Sequence, residues 1–124
     1  MTTGDIIPVT EYLYRRYFQP ERKFVNPDGS ATSRAFKLRE KDKGKLSTNI
    51  KSLTNYEKSI VDNQEYILFE ILVQKVVDIE LTAIYEPLEN NDAHSYIFGM
   101  NDDDDIKPGL LARQAKFVRP SSNK

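Results

Sequence analysis

The chain contains no cysteine, no tryptophan and a single histidine among its 124 residues. Without cysteine there is no disulfide, no thiolate metal site and no thiol nucleophile, so the fold rests on packing alone and suits a reducing compartment. One histidine cannot supply a two-histidine ligand pair, which removes the common zinc arrangements; neither metal nor cofactor is expected. Long apolar runs are also missing. The richest stretch, Glu65 to Gly99, is broken by Glu70, Gln74, Lys75 and Asp78 well short of membrane-spanning length. The start, Met1 to Ile7, lacks the basic and apolar regions of a signal peptide. The expectation is a soluble, cytoplasmic protein with no membrane association. Glycine motifs for phosphate loops, dinucleotide folds and hydrolase elbows are absent too, so those enzyme classes have no support.

What the chain does have is enough apolar residue for one modest core, and an uneven charge. The formal net charge is −1, yet residues 1–60 hold 12 Lys/Arg against 7 Asp/Glu, and residues 61–124 hold 6 against 12. Such a split marks either complementary surfaces for a partner or a plain solvated exterior.

The core is expected in Ile67 to Ile84. Leu68-Phe69-Glu70-Ile71-Leu72-Val73 reads as a buried strand or helix, and Leu81-Thr82-Ala83-Ile84-Tyr85 as a strand. A helical turn over 74–78 reverses the chain between them, and Ser95-Tyr96-Ile97-Phe98 forms a further strand. Arg34 to Arg39 and Leu46 to Ile50 both alternate, with Lys41-Asp42-Lys43-Gly44 between, and this predicts a hairpin over 35–50. Its outer face carries Lys37, Arg39 and Lys45. Thr54-Asn55-Tyr56-Glu57 has capping-box spacing and predicts a helix near 54–62. Pro108 and the stripe Leu110, Leu111, Ala115, Val118 predict another over 108–118, with Asp102 to Asp105 before its positive end. The fold class is therefore α+β: a small, mostly antiparallel sheet with two or three short helices. Residues 1–32 are expected as an aromatic N-terminal arm and loop, 33–119 as one domain and 120–124 as a frayed tail. Within the arm, residues 1–10 have no period and are expected to be loose, and the spacing of 13, 14, 17 and 18 favours a short helix.

Three sets of residues invite a functional reading. Tyr12, Tyr14, Arg15, Arg16, Tyr17 and Phe18 concentrate the residue types that anchor protein interfaces. Lys37, Arg39, Lys41, Lys43 and Lys45, extended by Arg15, Arg16, Arg22 and Lys23, make a cationic surface suited to phosphates, although an outward face without aromatics offers no platform for stacking bases. Asn90, Asp92 and His94 lie in a polar loop before a strand. His94 as a general base needs an orienting acid and a nucleophile, and neighbouring Asp92 and Ser95 fall in no nucleophile motif. The bland alternative is a histidine bracing its loop through a backbone bond. Asp102 to Asp105 lack the alternating ligands and glycine of a calcium loop. Arg34, Leu46-Ser47-Thr48 and Glu86 follow the Arg, Ser-Thr, Glu order that resembles ADP-ribosyltransferases, in a chain small for that fold.

From about Arg34 to Val118 the sequence resembles a set of small bacterial proteins of unknown function. The pieces that carry the resemblance are Ala35-Phe36-Lys37 with Asp42 to Ser47, Thr54 to Glu57, Pro87 to His94 with Ile97 and Gly99, and the helix Leu110 to Ala115. Asp92 stands where a proline often precedes the Ala-His pair, and the aromatic stretch before Pro20 is additional. The resemblance implies a bacterial or phage-borne cytosolic accessory, encoded beside larger defence or DNA-processing proteins. The leading expectation is thus a non-enzymatic interaction protein that binds a larger protein or itself. Nucleic-acid binding is the second expectation, and a small ADP-ribosyltransferase-like enzyme the third.

Overall fold

The computed structural model describes residues 1–18, 26, 30–38, 42–55, 58 and 66–118. Six strands form one antiparallel sheet: β1 (Tyr12–Phe18), β2 (Lys45–Ile50), β3 (Tyr66–Leu72), β4 (Thr82–Tyr85), β5 (His94–Phe98) and β6 (Lys116–Val118). Their order across the sheet is β4-β5-β2-β1-β3-β6. Among the described residues two helices, α1 (Val73–Asp78) and α2 (Lys107–Gln114), accompany them, with 3₁₀ turns at Ser33–Phe36 and Lys51–Leu53. The α+β class expected from the sequence is the class observed.

The helix expected over 11–18 is instead β1, an interior strand that pairs with both β2 and β3. Leu13 and its neighbour Tyr14 are both buried, at 0% and 6% exposure. Adjacent strand residues point to opposite faces, so a strand enclosed on both sides needs apolar doublets rather than alternation. That doublet is what imitated helical spacing. Residues 1–10 are not loose either. Gly4, Asp5 and Ile7 exchange backbone hydrogen bonds with Tyr85 and Ala83 of β4, and Ile7 is 1% exposed. The segment closes an edge that would otherwise present unpaired backbone groups. It is clasped by Asp5, whose carboxylate accepts from the Thr2 backbone and hydroxyl at 2.7 and 3.0 Å, bonds that hold its pKa below the ordinary value.

Strand β2 has the predicted orientation: Leu46, Thr48 and Ile50 face inward, Lys45, Ser47 and Asn49 outward. Its expected partner is wrong, however. Arg34 to Phe36 belong to the 3₁₀ turn, which buries Ala35 and Phe36 together, something an alternating strand cannot do. β2 pairs with β1 and β5, so the 35–50 hairpin does not exist. Lys43 and Gly44 turn the chain into β2 with φ of 53° and 81°. The second half of the capping box, Glu57, lies outside the described residues, as does most of the helix expected near 54–62. Asn55 offers a side-chain oxygen, accepting from the Lys58 N–H at 2.8 Å.

The helix expected over 108–118 stops at Gln114 because Ala115 is extended, at φ −84° and ψ 148°, and β-favouring Phe117 and Val118 join β3 as β6. The start of α2 is as expected: Pro108 occupies the first turn, and Asp104 Oδ1 accepts from the Ile106 and Lys107 N–H groups at 2.9 and 3.0 Å. Helix α1 carries the chain from β3 toward β4 at the far edge. The core lies on the side of the sheet covered by α1, α2 and the Ser33–Phe36 turn. There Leu13, Leu46, Ile50, Phe69, Ile71 and Ile97 meet Phe36, Val73, Val76 and Leu111. Burying each such side chain contributes about 1.5–3 kcal/mol. Among the described residues no helix is long and apolar enough to cross a membrane.

Part of the uneven charge of the two halves is paired within the molecule. Lys37–Asp105 at 2.7 Å, Lys45–Glu86 at 3.2 Å and Lys51–Glu70 at 3.0 Å each join a lysine of the basic part to a carboxylate of the acidic part.

Candidate functional site

Because side chains alternate, whatever the core does not take from β2 and β5 appears on the other face. Register pairs Lys45 with Phe98, Ser47 with Tyr96 and Asn49 with His94, and these six side chains stand together away from the core. Phe98 is 51% exposed and meets the Tyr96 ring edge-on at 6.5 Å, while Lys45 Nζ lies 4.8 Å from the Tyr96 centroid. At the far end of the same face Tyr12, 39% exposed, and Tyr14 stand 5.3 and 6.0 Å from Lys51 Nζ. Burial first, then the Glu70 charge, raises the Tyr14 phenol above its usual range against the opposing Lys51. Lys51 is also raised, chiefly by its hydrogen bond to Glu70. Tyr14 is enclosed with Leu68 and Val118, so this face is bare over β2 and β5 and closed around Tyr14 and Leu68, with Tyr12 and Arg16 exposed at its margin.

The middle of the bare face is polar. The β4–β5 connection turns tightly, with Leu88 and Asn91 exchanging backbone bonds at 3.0 Å, and Asn91 Nδ2 donates to Asn49 Oδ1 at 2.8 Å. The buried Tyr85 donates its hydroxyl to the Asp92 carbonyl at 2.7 Å, which pins the loop from below. His94 Nδ1 lies 2.8 Å from the Glu86 carbonyl oxygen and 3.6 Å from its carboxylate, and Nε2 lies 3.4 Å from Ser47 Oγ. A carbonyl only accepts, so Nδ1 carries the proton and Nε2 of the neutral ring turns its lone pair to the Ser47 hydroxyl. The loop-bracing bond is present, and a hydroxyl occupies the other ring nitrogen. Beside this pair a cleft of about 660 Å³ opens between the loop and the segment after β2, lined among others by Arg16, Asn49, Lys58, Asn90 and Asp92.

The structure sorts the sequence-predicted residues unevenly. Of the aromatic set, Tyr12 and Arg16 reach the surface of this face, and Tyr14 is buried. Arg15 turns to the core side, where it donates to the carbonyls of Ala35 and Ser47 at 3.1 and 2.8 Å and serves the fold. The side chains of Tyr17 and Phe18 lie outside the described residues. Asn90, Asp92 and His94 are brought to one place, as their sequence proximity suggests. Among the described residues the cationic set is not assembled: Lys37 donates to Asp105 and to the Asp104 carbonyl, Lys43 sits in a turn, and Lys45 joins the bare face, while Arg39, Lys41, Arg22 and Lys23 lie outside the described residues.

The Arg-Ser-Glu order does not converge either. Arg34 belongs to the turn on the core side, Thr48 points inward to Ser95, and Ser47 and Glu86 meet around His94 on the opposite face. Ser95 is the buried partner of Thr48 and not of His94. The residues that sequence reasoning missed are Ser47 as the hydroxyl facing His94, and Tyr96 and Phe98 as surface rings. The second was legible: if Ser95 and Ile97 face inward, their neighbours face out. The first depends on the β2–β5 register, which no local signal carries. No protein-family model, curated protein or solved structure matches the chain.

Proposed function

We propose that the protein is an interaction module that takes a protein partner on the bare β2–β5 face of its sheet. The observation that carries this is the contacting pair of rings Phe98 and Tyr96 left outside the core on β5, with Tyr12 and Arg16 of β1 exposed at the far margin of the same face. Aromatic and arginine side chains supply most binding energy when a partner desolvates them. The cations of the face favour a protein over a phosphate chain, since Lys45 and Lys51 already hold Glu86 and Glu70. The uneven charge of the chain does not enter the reading, because three of its lysines already pair with carboxylates of the acidic part. The bacterial or phage-borne accessory role implied by the sequence resemblance fits a module of this kind.

The experiment compares wild-type protein with Phe98→Glu and Tyr12→Glu variants. The partner is captured from cells of the source, purified, and its affinity measured; oligomeric mass by light scattering over a concentration series covers self-association. A charge at either ring should weaken association at least tenfold with no change in circular dichroism. Equal association by wild-type and variants overturns the proposal.

A second reading has one specific observation in its favour. The stacking rings that the cationic set lacked are present as Tyr96 and Phe98, next to Lys45, which is the arrangement used for single-stranded nucleic acid. Labelled single-stranded RNA and DNA should then bind at low salt and weaken when Lys45→Glu and Tyr96→Ala are combined. Absence of binding at low salt removes it.

A further inference from the structure

We propose that Ser47 is a nucleophile activated by His94, forming an acyl-transfer site for small activated carboxylic esters on the polar middle of the bare face. The inference goes beyond the binding reading and does not depend on it.

Three features combine. Ser47 is exposed at the centre of β2, so a substrate carbonyl reaches its oxygen without rearrangement. His94 is held by the Glu86 carbonyl in the one neutral tautomer whose free nitrogen faces Ser47, at 3.4 Å, a separation that shortens when substrate completes the site. The Glu86 carboxylate, 3.6 Å from Nδ1, lies where it offsets the positive charge of an imidazolium, and Glu86 is therefore a positioning residue. Ser47, His94 and Glu86 come from β2, β5 and the end of β4, and backbone pairing of those strands fixes all three. On one side Lys45, the next outward residue of β2, donates to Glu86 Oε2 at 3.2 Å and so ties down the carboxylate beside His94. On the other, Asn49 leads into the 660 Å³ cleft, which has room for the acyl or leaving group.

The chemistry balances with water alone. Ser47 Oγ bonds to the ester carbonyl carbon as its proton passes to His94 Nε2. The carbon–oxygen bond to the leaving alcohol breaks, and that alcohol departs with the proton. Water, deprotonated in turn by Nε2, attacks the acyl carbon, and the Ser47 hydroxyl is restored as the carboxylic acid leaves. With a fluorophosphonate the first half is the same, with an oxygen–phosphorus bond formed and fluoride lost, and the adduct persists.

The test treats the isolated full-length protein with an alkyl fluorophosphonate and maps the adduct by peptide mass. One adduct on Ser47 is expected, absent from Ser47→Ala and slowed about 100-fold or more in His94→Gln. Nitrogen-15 NMR of the His94 ring is the second measurement. Protonation at Nδ1 is expected in the wild type and in Glu86→Gln, which keeps the carbonyl bond while labelling slows. Labelling elsewhere but not at Ser47, equal rates in a folded His94→Gln, or a ring protonated at Nε2 each overturns the proposal; should His94→Gln fail to fold, the adduct site and the tautomer decide.

Discussion

Ser47 and Thr48 are neighbours on β2 with the same functional group, yet Thr48 is enclosed, sharing a 2.6 Å hydrogen bond with Ser95, while Ser47 stands exposed beside His94. The two faces of the sheet differ in what satisfies their polar groups. Inward, each hydroxyl must find a protein partner or lose its hydration without return; outward, water does that work and partners are free to change. A hydroxyl–hydroxyl pair in the core therefore specifies register between β2 and β5, and a hydroxyl–imidazole pair one residue away is available for chemistry.

Replacing residues on each face tests that contrast. Phe69→Ala, which empties space between the sheet and its helices, should destabilise by about 3–5 kcal/mol in a denaturant titration. Phe98→Ala on the bare face should stay within about 0.5 kcal/mol; a comparable loss would show that the face is part of the core after all. Thr48→Val should cost about 1–3 kcal/mol by stranding the Ser95 hydroxyl, and adding Ser95→Ala should restore part of that loss. A double-mutant cycle with strictly additive terms would remove the register role. The smallest effect belongs to Lys51 and Glu70, whose partly exposed pair should contribute less than about 1 kcal/mol and fade with salt.

The same corner of the molecule has a pH signature. Tyr14 and Lys51 are both raised on folding, Tyr14 by burial first and Lys51 by its bond to Glu70. A group whose folded pKa exceeds its unfolded one stabilises the fold fully below the unfolded value. That contribution disappears as pH rises through the folded one. Stability should thus fall on the alkaline side, above about pH 10 on the reference pKa values of tyrosine and lysine. Tyrosinate absorbance should show one late-titrating tyrosine that Tyr14→Phe removes. A tyrosine titration without a late component would place Tyr14 in solvent.

Legibility followed how local the cause was. The inward–outward pattern of Lys45 to Ile50 and the turn before α2 were readable, because alternation and capping act within a few residues. Tyr12 to Phe18 were misread since enclosure on two faces erases alternation, and Arg34 to Arg39 since alternation without a partner strand is only a pattern. The identity of the neighbours of β2 was beyond reach: Asn49 meets His94 and Leu13 meets Ile50 through pairings that span much of the chain. The proximity of Asn90, Asp92 and His94 was readable because they are close in sequence. That of Ser47 was not, because it is not.

β1 leaves the ribosome before its full-length neighbour, β3, which ends at Leu72. At roughly 5–20 residues per second the interval between Leu13 and Leu72 is about 3–12 s, during which Leu13 and Tyr14 have no permanent shelter. Gly4 to Ile7 wait longer still, for β4. Gly4 to Ile7 are thus made well before the strand that secures them, an order of events that exposes nascent chains to chaperones and makes folding slow in proportion to its distant contacts.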